Sequence, residues 1–365
     1  MSPAILMVVG AAACSGSAAA PEAGSTTGST PEKSPAATTS NIGPTTTPES
    51  SPPPGPITIA FAGDVHFEAQ LRSRLEDPAT ALAPIATQLS AADLTVVNLE
   101  TSIGTSGSPE PKRFTFQAPP EAFDALAAAG VDVATMANNH GMDFGPDGLD
   151  DTLTAIAADP PLEVIGIGSN ADQAFAPAVV DVRGTTVAVI GAHSADDPRA
   201  DPTEHWAAGT DKPGVAVASD PGRLVAAVRD AARAADLVVV FMHWGVQGER
   251  CPSRSQVGTA RALSDAGASI VVGSHAHVVQ GTGLVDATYV AYGLGNFVWY
   301  NPDSESASTT GLLTITVDAG HVVAEDWNPA RIDANGMPRF VTGGESEDMA
   351  ASFASLRQCT DLAPL

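Results

Sequence analysis

From Ile57 onward, apolar residues follow two alternating spacings along the chain. Short apolar runs rich in valine and isoleucine, such as "ITIAFAGDV", "LTVVNLE" and "LVVVFMHWG", have the length and composition of buried strands. Longer segments with apolar residues three and four positions apart, such as "PPEAFDALAAAG" and "RSQVGTARALSDAGA", are typical of amphipathic helices. This alternation predicts an α/β fold in which helices flank the strands.

The same patterns predict the remaining elements. Helices are expected over "PATALAPIATQLSAAD", "GPDGLDDTLTAIAAD" and "DPGRLVAAVRDAARAAD", and strands over "VDVATMANN", "LEVIGIG" and "SIVVGSHAHV". The segment "AVVDVRGTTVAVIGA" predicts a β-hairpin that turns at Arg183 and Gly184. Closing strands are expected over "TYVAYGLGNFVW" and "TGLLTITVDAGHVVAEDWNPARI". This division predicts a folded domain over residues 57–340 and a short C-terminal tail over 341–365.

The first 56 residues have a different composition. A short apolar run, "AILMVV", is too short to span a bilayer, and three alanines then precede Cys14. This pattern predicts a lipoprotein-type signal peptide over residues 1–14 with Cys14 as the lipidated residue; an ordinary cleaved signal peptide or an apolar tail is the alternative. Residues 15–56 are rich in Ser, Thr, Pro and Ala and predict a disordered tether. We therefore expect an exported protein, lipid-anchored to the cell membrane and facing outward.

Charge narrows the classes of partner. The chain has 17 basic and 42 acidic residues, a formal net charge of −25 and a sequence pI near 4.4. A phosphate backbone is bound by a basic surface, so this balance argues against a nucleic-acid partner. It argues equally against electrostatic adsorption to anionic lipid.

The three cysteines agree with export. If Cys14 carries lipid, Cys251 and Cys359 remain, and two cysteines can pair outside a reducing cytosol. We therefore predict a disulfide between Cys251 and Cys359.

Polar residues follow the predicted strands at their carboxyl ends, where open α/β sheets bind ligands. Five of the eight histidines lie there, and imidazole, carboxylate and amide oxygen together favour a transition-metal site. Residues two apart on an extended segment project to one side, so each pair in "DVH" and "HAH" is expected to serve one site. Gly63 and Gly273 lie next to these residues and, without side chains, would let the backbone approach the site closely. The residues at the strand ends are Asp64, His66, Glu100, Asn138, Asn139, His140, His243, His275 and His277.

Structural roles remain open for several of these residues. Asp64 could cap a helix, Glu100 could form a salt bridge at the core edge, and His243 could be packed beside Trp244. Asn139 and His140 could be a hydrogen-bonded turn pair. One further strand end carries His193, for which we expect a structural or substrate-side role.

The ordered blocks "GDVH", "NLE", "NNH", "HWG" and "GSHAH" resemble the calcineurin-like metallophosphatase superfamily. The segments "FTFQAPPE", "MANNHGMDFGPDGLDDTL", "VIGIG", "VVFMHWG" and "YGLGNFVW" resemble more closely the bacterial capsule-synthesis protein CapA family, which is associated with poly-γ-glutamate. Both resemblances lie within residues 57–300. They imply a four-layer α/β/β/α sandwich that holds two divalent metal ions (Mn, Fe or Zn).

The resemblance also implies a role for each site residue. Two metals a few Å apart would clamp the attacking and leaving oxygens and lower the pKa of a bridging water. Glu100 would bridge them, where phosphatases generally have Asp, and His140 would be a general acid or transition-state stabiliser. Asn138 would orient the metal ligands through hydrogen bonds without binding a metal itself. The first metal would be bound by Asp64, His66 and His277, and the second by Asn139, His243 and His275.

Three functions are compatible with these features. The first is a metal-dependent hydrolase or transferase that acts on a phosphate ester or an amide-type polymer bond in capsule or poly-γ-glutamate synthesis, export or processing. The second is a non-catalytic component of a polymer synthesis or export complex, and the third is a polymer-binding lipoprotein. The expected partners are an anionic polymer or phosphoester substrate, membrane synthase or export proteins, and the membrane through the lipid anchor.

Overall fold

The computed structural model describes residues 55–195, 197 and 206–365. The predicted signal peptide with Cys14, and nearly all of the predicted tether, lie outside these residues. Within them, no helix is both long and apolar enough to cross a bilayer.

The described chain alternates strands and helices, as the pattern predicts. The strands are β1 (Ile57–Val65), β2 (Leu94–Leu99), β3 (Ser102–Ile103), β4 (Gln117–Ala118), β5 (Val133–Thr135), β6 (Glu163–Ile165), β7 (Ile167–Gly168), β8 (Ala178–Val182), β9 (Thr185–Ala195), β10 (Gly214–Val215), β11 (Leu237–Gly245), β12 (Ile270–His275), β13 (Thr282–Val285), β14 (Thr288–Ala291), β15 (Asn296–Val298), β16 (Thr309–Asp318), β17 (His321–Ile332) and β18 (Pro338–Phe340). The α-helices are α1 (Pro78–Ala81), α2 (Ala83–Leu89), α3 (Glu121–Ala128), α4 (Gly145–Ala157), α5 (Ala171–Ala174), α6 (Gly222–Ala231), α7 (Arg254–Ala266), α8 (Glu305–Ser308) and α9 (Gly344–Ser355), with 3₁₀ helices over Ala69–Glu76 and Leu356–Cys359.

Two large sheets contain most of these strands. The first has the order β18-β17-β16-β1-β2-β5-β6, and β15 pairs with the carboxyl end of β1. The second has the order β13-β14-β12-β11-β9-β8. Strands β1, β2, β5 and β6 are parallel in the first sheet, as are β9, β11, β12 and β14 in the second. The carboxyl ends of each parallel set therefore meet at one edge of their sheet.

Side-chain alternation along the strands builds the layers. Phe61 of β1 and Val239 of β11 belong to one buried cluster that joins the two sheets. Their neighbours in sequence, Ala62 and Val240, belong to the cluster that includes the apolar faces of α2, α3, α6 and α7. Because alternate residues of a strand point to opposite faces, the sheets pack together and the helices cover their outer sides. The predicted four-layer α/β/β/α sandwich is confirmed.

Two predicted elements are interrupted by residues with special backbone chemistry. The helix expected over residues 78–93 is divided at Leu82, because Pro84 has no N–H to donate to the preceding turn. The strand expected over residues 162–168 is divided at Gly166, which has φ 85°. As a result β6 joins the first sheet, whereas β7 pairs with β10.

The strand expected over "TYVAYGLGNFVW" crosses between the two sheets. Its first half is β14 in the second sheet, and its second half is β15 beside β1 in the first. The crossing packs closely against both central strands. A Cβ added at Gly63 would lie 1.8 Å from the Gly295 carbonyl oxygen, and one at Gly273 would lie 2.2 Å from the Tyr292 carbonyl oxygen. These glycines therefore admit the crossing chain rather than a ligand.

The β8–β9 hairpin was predicted from the sequence, whereas helix α9 near the C-terminus was not. The hairpin between β8 and β9 turns at Arg183 (φ 54°) and Gly184 (φ 87°), as predicted. The segment described as a tail contains α9, and Phe353 of this helix stacks on Trp327 of β17 with ring centroids 4.2 Å apart. Helix α9 therefore packs against the first sheet, whereas Ala363 near the end of the chain pairs with Leu284 of β13 in the second sheet.

Candidate metal centre

Both sheets contribute polar residues to one buried site. Asp64 lies near the end of β1, Glu100 directly follows β2, and Asn139 lies in the loop after β5. From the second sheet come His243 near the end of β11, His275 at the end of β12, and His277 two residues beyond. Strand order explains this convergence, because each residue stands at the carboxyl edge of its parallel set.

The first group of ligand atoms surrounds Nε2 of His243. This nitrogen lies 2.7 Å from Oδ1 of Asn139, 2.9 Å from Nδ1 of His275 and 3.6 Å from Oε1 of Glu100. One ring proton can satisfy only one of these three lone-pair atoms. A divalent cation accepts lone pairs from all of them, and imidazole and carboxylate are ligands that Zn, Fe and Mn accept. The residues present therefore fit a metal ion.

The second group consists of Asp64, Glu100 and His277, each with a ligand atom within 4.8 Å of the others. Nδ1 of His277 lies 2.8 Å from Oδ1 of Asn296 and 3.3 Å from Oδ2 of Asp64. Both neighbours are acceptors, so Nδ1 carries the proton and Nε2 retains a lone pair for a metal.

Glu100 belongs to both groups. It is fully buried, and neither carboxylate oxygen has a hydrogen-bond partner in the described part of the protein. A buried carboxylate without a proton, donor or cation is strongly disfavoured. Burial, assisted by the neighbouring Asp64, raises the pKa of Glu100 well above its usual value. The shared carboxylate is therefore stable as an anion only beside a cation.

The histidines of the first group are poised to bind as neutral ligands. Burial is the main cause that lowers the pKa of His243 and of His275 well below the ordinary histidine value. A neutral imidazole keeps the lone pair that a metal requires.

The loop that presents the last two histidines has an unusual backbone. His275 has φ 89° and His277 has φ 57°, a region that residues other than glycine seldom adopt. Two hydrogen bonds hold this turn: the His275 N–H donates to Oδ2 of Asp64 (3.2 Å), and Gly248 N–H donates to the Ala276 carbonyl (2.8 Å). A tight turn, rather than the extended alternation we expected, directs both imidazoles toward the centre.

His66 lies apart from these two groups. Its ring stacks on Phe116 with centroids 4.7 Å apart and meets Trp299 and Tyr300 edge-on at 4.3 and 4.9 Å. Its Nδ1 accepts the Glu68 N–H at 3.0 Å. Strand β1 ends at Val65, and its register with β15 shifts there, so the alternation does not extend to His66. A ligand role for His66 stays a prediction.

Asn98 is a site residue that the sequence analysis missed. Its Nδ2 donates to Oδ1 of Asp64 (2.8 Å) and lies 3.1 Å from Nδ1 of His243, so it links the two sheets behind the ligands. Its Oδ1 accepts from Nδ2 of Asn138 (3.1 Å), which also donates to the Leu99 carbonyl (2.8 Å). An amide one residue before the end of the buried strand "LTVVNL" was the available signal. Asn138 therefore bonds to Asn98 and to the β2 backbone, and its role as an orienting residue stays a prediction.

One ring nitrogen of His140 faces the centre, and the other faces Asp143. Its Nδ1 lies 2.5 Å from Oδ2 of Asp143, and its Nε2 lies 3.6 Å from Oε1 of Glu100. Because Asp143 accepts, Nδ1 carries the proton and the tautomer is fixed. Burial lowers the pKa of His140, and the Asp143 carboxylate partly opposes this shift. His140 can therefore move a proton at Nε2.

His193 lies behind the first group. It pairs in register with His243 across β9 and β11, and the two ring centroids are 5.4 Å apart. Burial lowers the pKa of His193 to about 3, so this residue is neutral. Neither group of ligand atoms includes it, and its buried position agrees with a structural role.

Cys251 and Cys359 form a disulfide with Cα atoms 5.6 Å apart. Cys251 follows the loop that contains Gly248, whose N–H donates to the carbonyl of Ala276, between the two histidines of "HAH". The disulfide therefore joins the C-terminal segment to a loop that supports the ligand turn.

The chain is similar to several known proteins. It is 35% identical to the "PGA biosynthesis protein CapA" of Bacillus subtilis over 189 residues, which covers 52% of this chain and 48% of that protein. It is 31% identical to a "probable polyglutamine synthesis accessory protein" of Mycobacterium tuberculosis over 215 residues, which covers 57% of this chain and 56% of the relative. The chain thus matches about half the length of these curated relatives.

Solved structures also match. A hypothetical protein from Thermus thermophilus has a TM-score of 0.46 at 17% identity and covers 75% of this chain and 99% of its own. A novel phosphatase from Mycoplasma pneumoniae has a TM-score of 0.47 at 15% identity and covers 76% of this chain and 94% of its own.

The family model described as "Bacterial capsule synthesis protein PGA_cap" matches residues 58–301. This match includes both central strand sets and all the ligand residues described above. The protein therefore belongs to the bacterial capsule synthesis protein PGA_cap family.

Proposed function

We propose that the protein is a metal-dependent hydrolase that acts in capsule or poly-γ-glutamate synthesis, export or processing through two divalent metal ions. The observation that carries this proposal is the position of Glu100. Both oxygens of Glu100 are buried and unpartnered, and the residue belongs to both groups of candidate ligands, a position that a carboxylate shared by two metals would occupy. The names of the curated relatives support the pathway.

The candidate ligands would be divided between the two metals. Asp64, Glu100 and His277 would bind one metal, with His66 as a further candidate, and Glu100, Asn139, His243 and His275 would bind the other. When bound, two such ions supply Lewis acidity and an activated water at neutral pH. Imidazole and carboxylate ligands agree with Mn, Fe or Zn.

His140 would protonate the leaving group. Its Nε2 faces the shared carboxylate at 3.6 Å, and Asp143 holds Nδ1 so that the ring cannot turn its other nitrogen inward. A donor beside the metals, but outside both ligand groups, separates proton transfer from metal binding.

A cleft with a volume of about 830 Å³ is lined in part by Val278 and Val279, which directly follow His277, although none of the candidate ligand residues lines it. Its charged lining is mixed, because Arg250 and Arg331 stand beside Glu305, Glu345 and Asp348. An anionic polymer or phosphoester that reached this cleft would contact the exposed Arg250. We further propose that lipidation at Cys14 anchors the protein to the outer side of the cell membrane, near synthase or export partners.

A hydrolysis screen tests the function. The purified chain would be assayed with phosphomonoesters, phosphodiesters and γ-glutamyl polymer, with and without added Mn²⁺, and its metal content measured in parallel. We expect metal-stimulated cleavage that Glu100→Gln removes. Protein that retains both metals but cleaves nothing would favour the assembly component, in keeping with the "accessory" name of the mycobacterial relatives. Protein without metal would favour a polymer-binding lipoprotein.

A further inference from the structure

Lys112 is a buried cation beside the proposed proton donor. Its side chain is 2% exposed, and Nζ donates to Oδ1 of Asp143 at 2.7 Å. Asp143 itself is fully buried and holds His140 through its other oxygen. The buried carboxylate therefore bonds to the imidazole on one side and to an ammonium on the other.

The same ammonium also contacts a proposed metal ligand. Nζ of Lys112 donates to the backbone carbonyl of Asn139 at 2.7 Å, while the side-chain oxygen of Asn139 lies beside Nε2 of His243. One side chain thus touches both the residue that would bind metal and the residue that orients the proton donor.

The surrounding segment, residues 110–116, strengthens this arrangement. The Glu110 N–H donates to the Asp143 carbonyl (2.8 Å), and the Phe116 N–H donates to Oδ2 of Asp143 (2.6 Å). The Phe116 ring stacks on His140 with centroids 4.1 Å apart. These contacts fix the loop that places Lys112, although it belongs to neither large sheet.

We propose that Lys112 is a positioning residue that holds His140 and Asn139 in register, so that the proton donor and the second metal ligand set keep a fixed separation. A buried lysine is a costly way to stabilise a fold, because both charges lose their hydration. Its value here is geometric, since hydrogen-bonded partners behind ligands and catalytic groups fix their orientation. The part that concerns His140 rests on the proposed hydrolase function, whereas the part that concerns Asn139 rests on metal binding alone.

A double-mutant cycle tests the link through Asp143. Lys112→Met, Asp143→Asn and the double variant would be compared with wild type on a substrate with a poor leaving group. Lys112→Met should lower kcat by about 10–100-fold with little change in KM. With Mn²⁺ at saturating concentration for every variant, the double variant should lose no more kcat than Asp143→Asn alone, because both substitutions break the same link from Lys112 through Asp143 to His140. Losses that multiply would show that Lys112 does not act through Asp143 and would overturn this part.

Metal affinity tests the link to Asn139 without any substrate. Metal-free protein would be titrated with Mn²⁺ in competition with a fluorescent chelator. Lys112→Met should weaken the affinity about 10-fold, Lys112→Arg should recover most of it, and Asp143→Asn should leave it within a few-fold of wild type. Unchanged affinity in Lys112→Met would overturn this part, and it can be measured even if wild type hydrolyses nothing.

Two further variants control for folding and charge. Lys112→Met leaves Asp143 buried without its cation, whereas the double variant removes both charges and is expected to fold with a near wild-type circular dichroism spectrum. Lys212→Met removes an exposed lysine and should change neither kcat nor metal affinity. If Lys112→Met alone misfolds, the double variant is compared with Asp143→Asn instead. A weaker metal affinity in the double variant than in Asp143→Asn supports the proposal, and an equal affinity refutes it.

Discussion

Nε2 of His243 lies 2.9 Å from Nδ1 of His275, and both rings are buried. Nitrogens this close repel unless one is protonated or both bind a cation. Oδ1 of Asn139 lies 2.7 Å from the same Nε2 and adds a further lone pair. A single ring proton can satisfy only one of these lone pairs, whereas a bound cation would accept all of them, and the first prediction follows from this difference.

Removal of metal should destabilise the protein. A ligand present at about 100 times its Kd contributes about 2.7 kcal/mol to the free energy of unfolding, so chelation should lower Tm by several degrees and added Mn²⁺ should restore it. His243→Ala should purify with less metal and show a smaller response to chelator. Metal content and thermal unfolding measure both effects. Equal Tm values with and without chelator in wild type would exclude a structural contribution from metal.

His140→Ala should separate catalysis from metal binding. We expect metal content near that of wild type and turnover lower by about 10²–10⁴-fold, the usual contribution of a positioned general acid. The loss should be smaller for a nitrophenyl ester, because a nitrophenolate leaves without a proton. If His140→Ala loses metal as His243→Ala does, then His140 is a ligand and the proposed division of roles is wrong.

The disulfide should be present in the mature protein and should contribute to stability. Thiol labelling of the denatured, unreduced chain is expected to find neither Cys251 nor Cys359 free. The bond joins residues 108 positions apart, and loss of a native disulfide costs about 2–5 kcal/mol in small exported domains. Cys251→Ser should therefore lower the free energy of unfolding measured in denaturant. Full labelling of both thiols would contradict the prediction.

Acid should release the loop that follows β3. The Thr105 and Ser106 N–H groups donate to Oδ2 of Asp151 at 2.9 and 2.8 Å, and they hold the pKa of Asp151 below its usual value. A lowered pKa stabilises the folded state above the unfolded pKa of about 3.9, and this contribution disappears as pH falls through the folded value. The difference in unfolding free energy between wild type and Asp151→Asn should therefore shrink below about pH 4. Asp150→Asn, one position earlier in α4, is the charge-matched control; an equal pH dependence in both variants would refute the assignment.

The membrane anchor is tested by cell fractionation. Two acyl chains give stable attachment, whereas one gives only marginal attachment. If Cys14 is diacylated, Cys14→Ser should move the protein from the membrane fraction to the soluble fraction. Unchanged membrane association of this variant would show that another feature anchors the protein.

The sequence predicts the position of the site better than the contacts that support it. Asp64, Glu100, His243 and His275 were predictable because parallel strands bring their carboxyl ends to one edge. Asp143 and Lys112 were not, since they lie in irregular loops whose path depends on tertiary contacts. The position of His66 was missed because pairing of β1 becomes irregular at Val65. The pattern also could not show that one predicted strand passes from the second sheet to the first, because apolar periodicity does not reveal which strand each half pairs with.

The division of the ligands between two sheets affects when the site can form. Asp64, Glu100 and Asn139 precede residue 140, whereas His243, His275 and His277 all follow residue 240. A growing chain therefore exposes its carboxylates and amide long before any of its histidine partners has been synthesised. Neither candidate ligand group can be completed until strands β11 and β12 have packed against β1 and β2. A metal ion bound there would link the early and late parts of the chain.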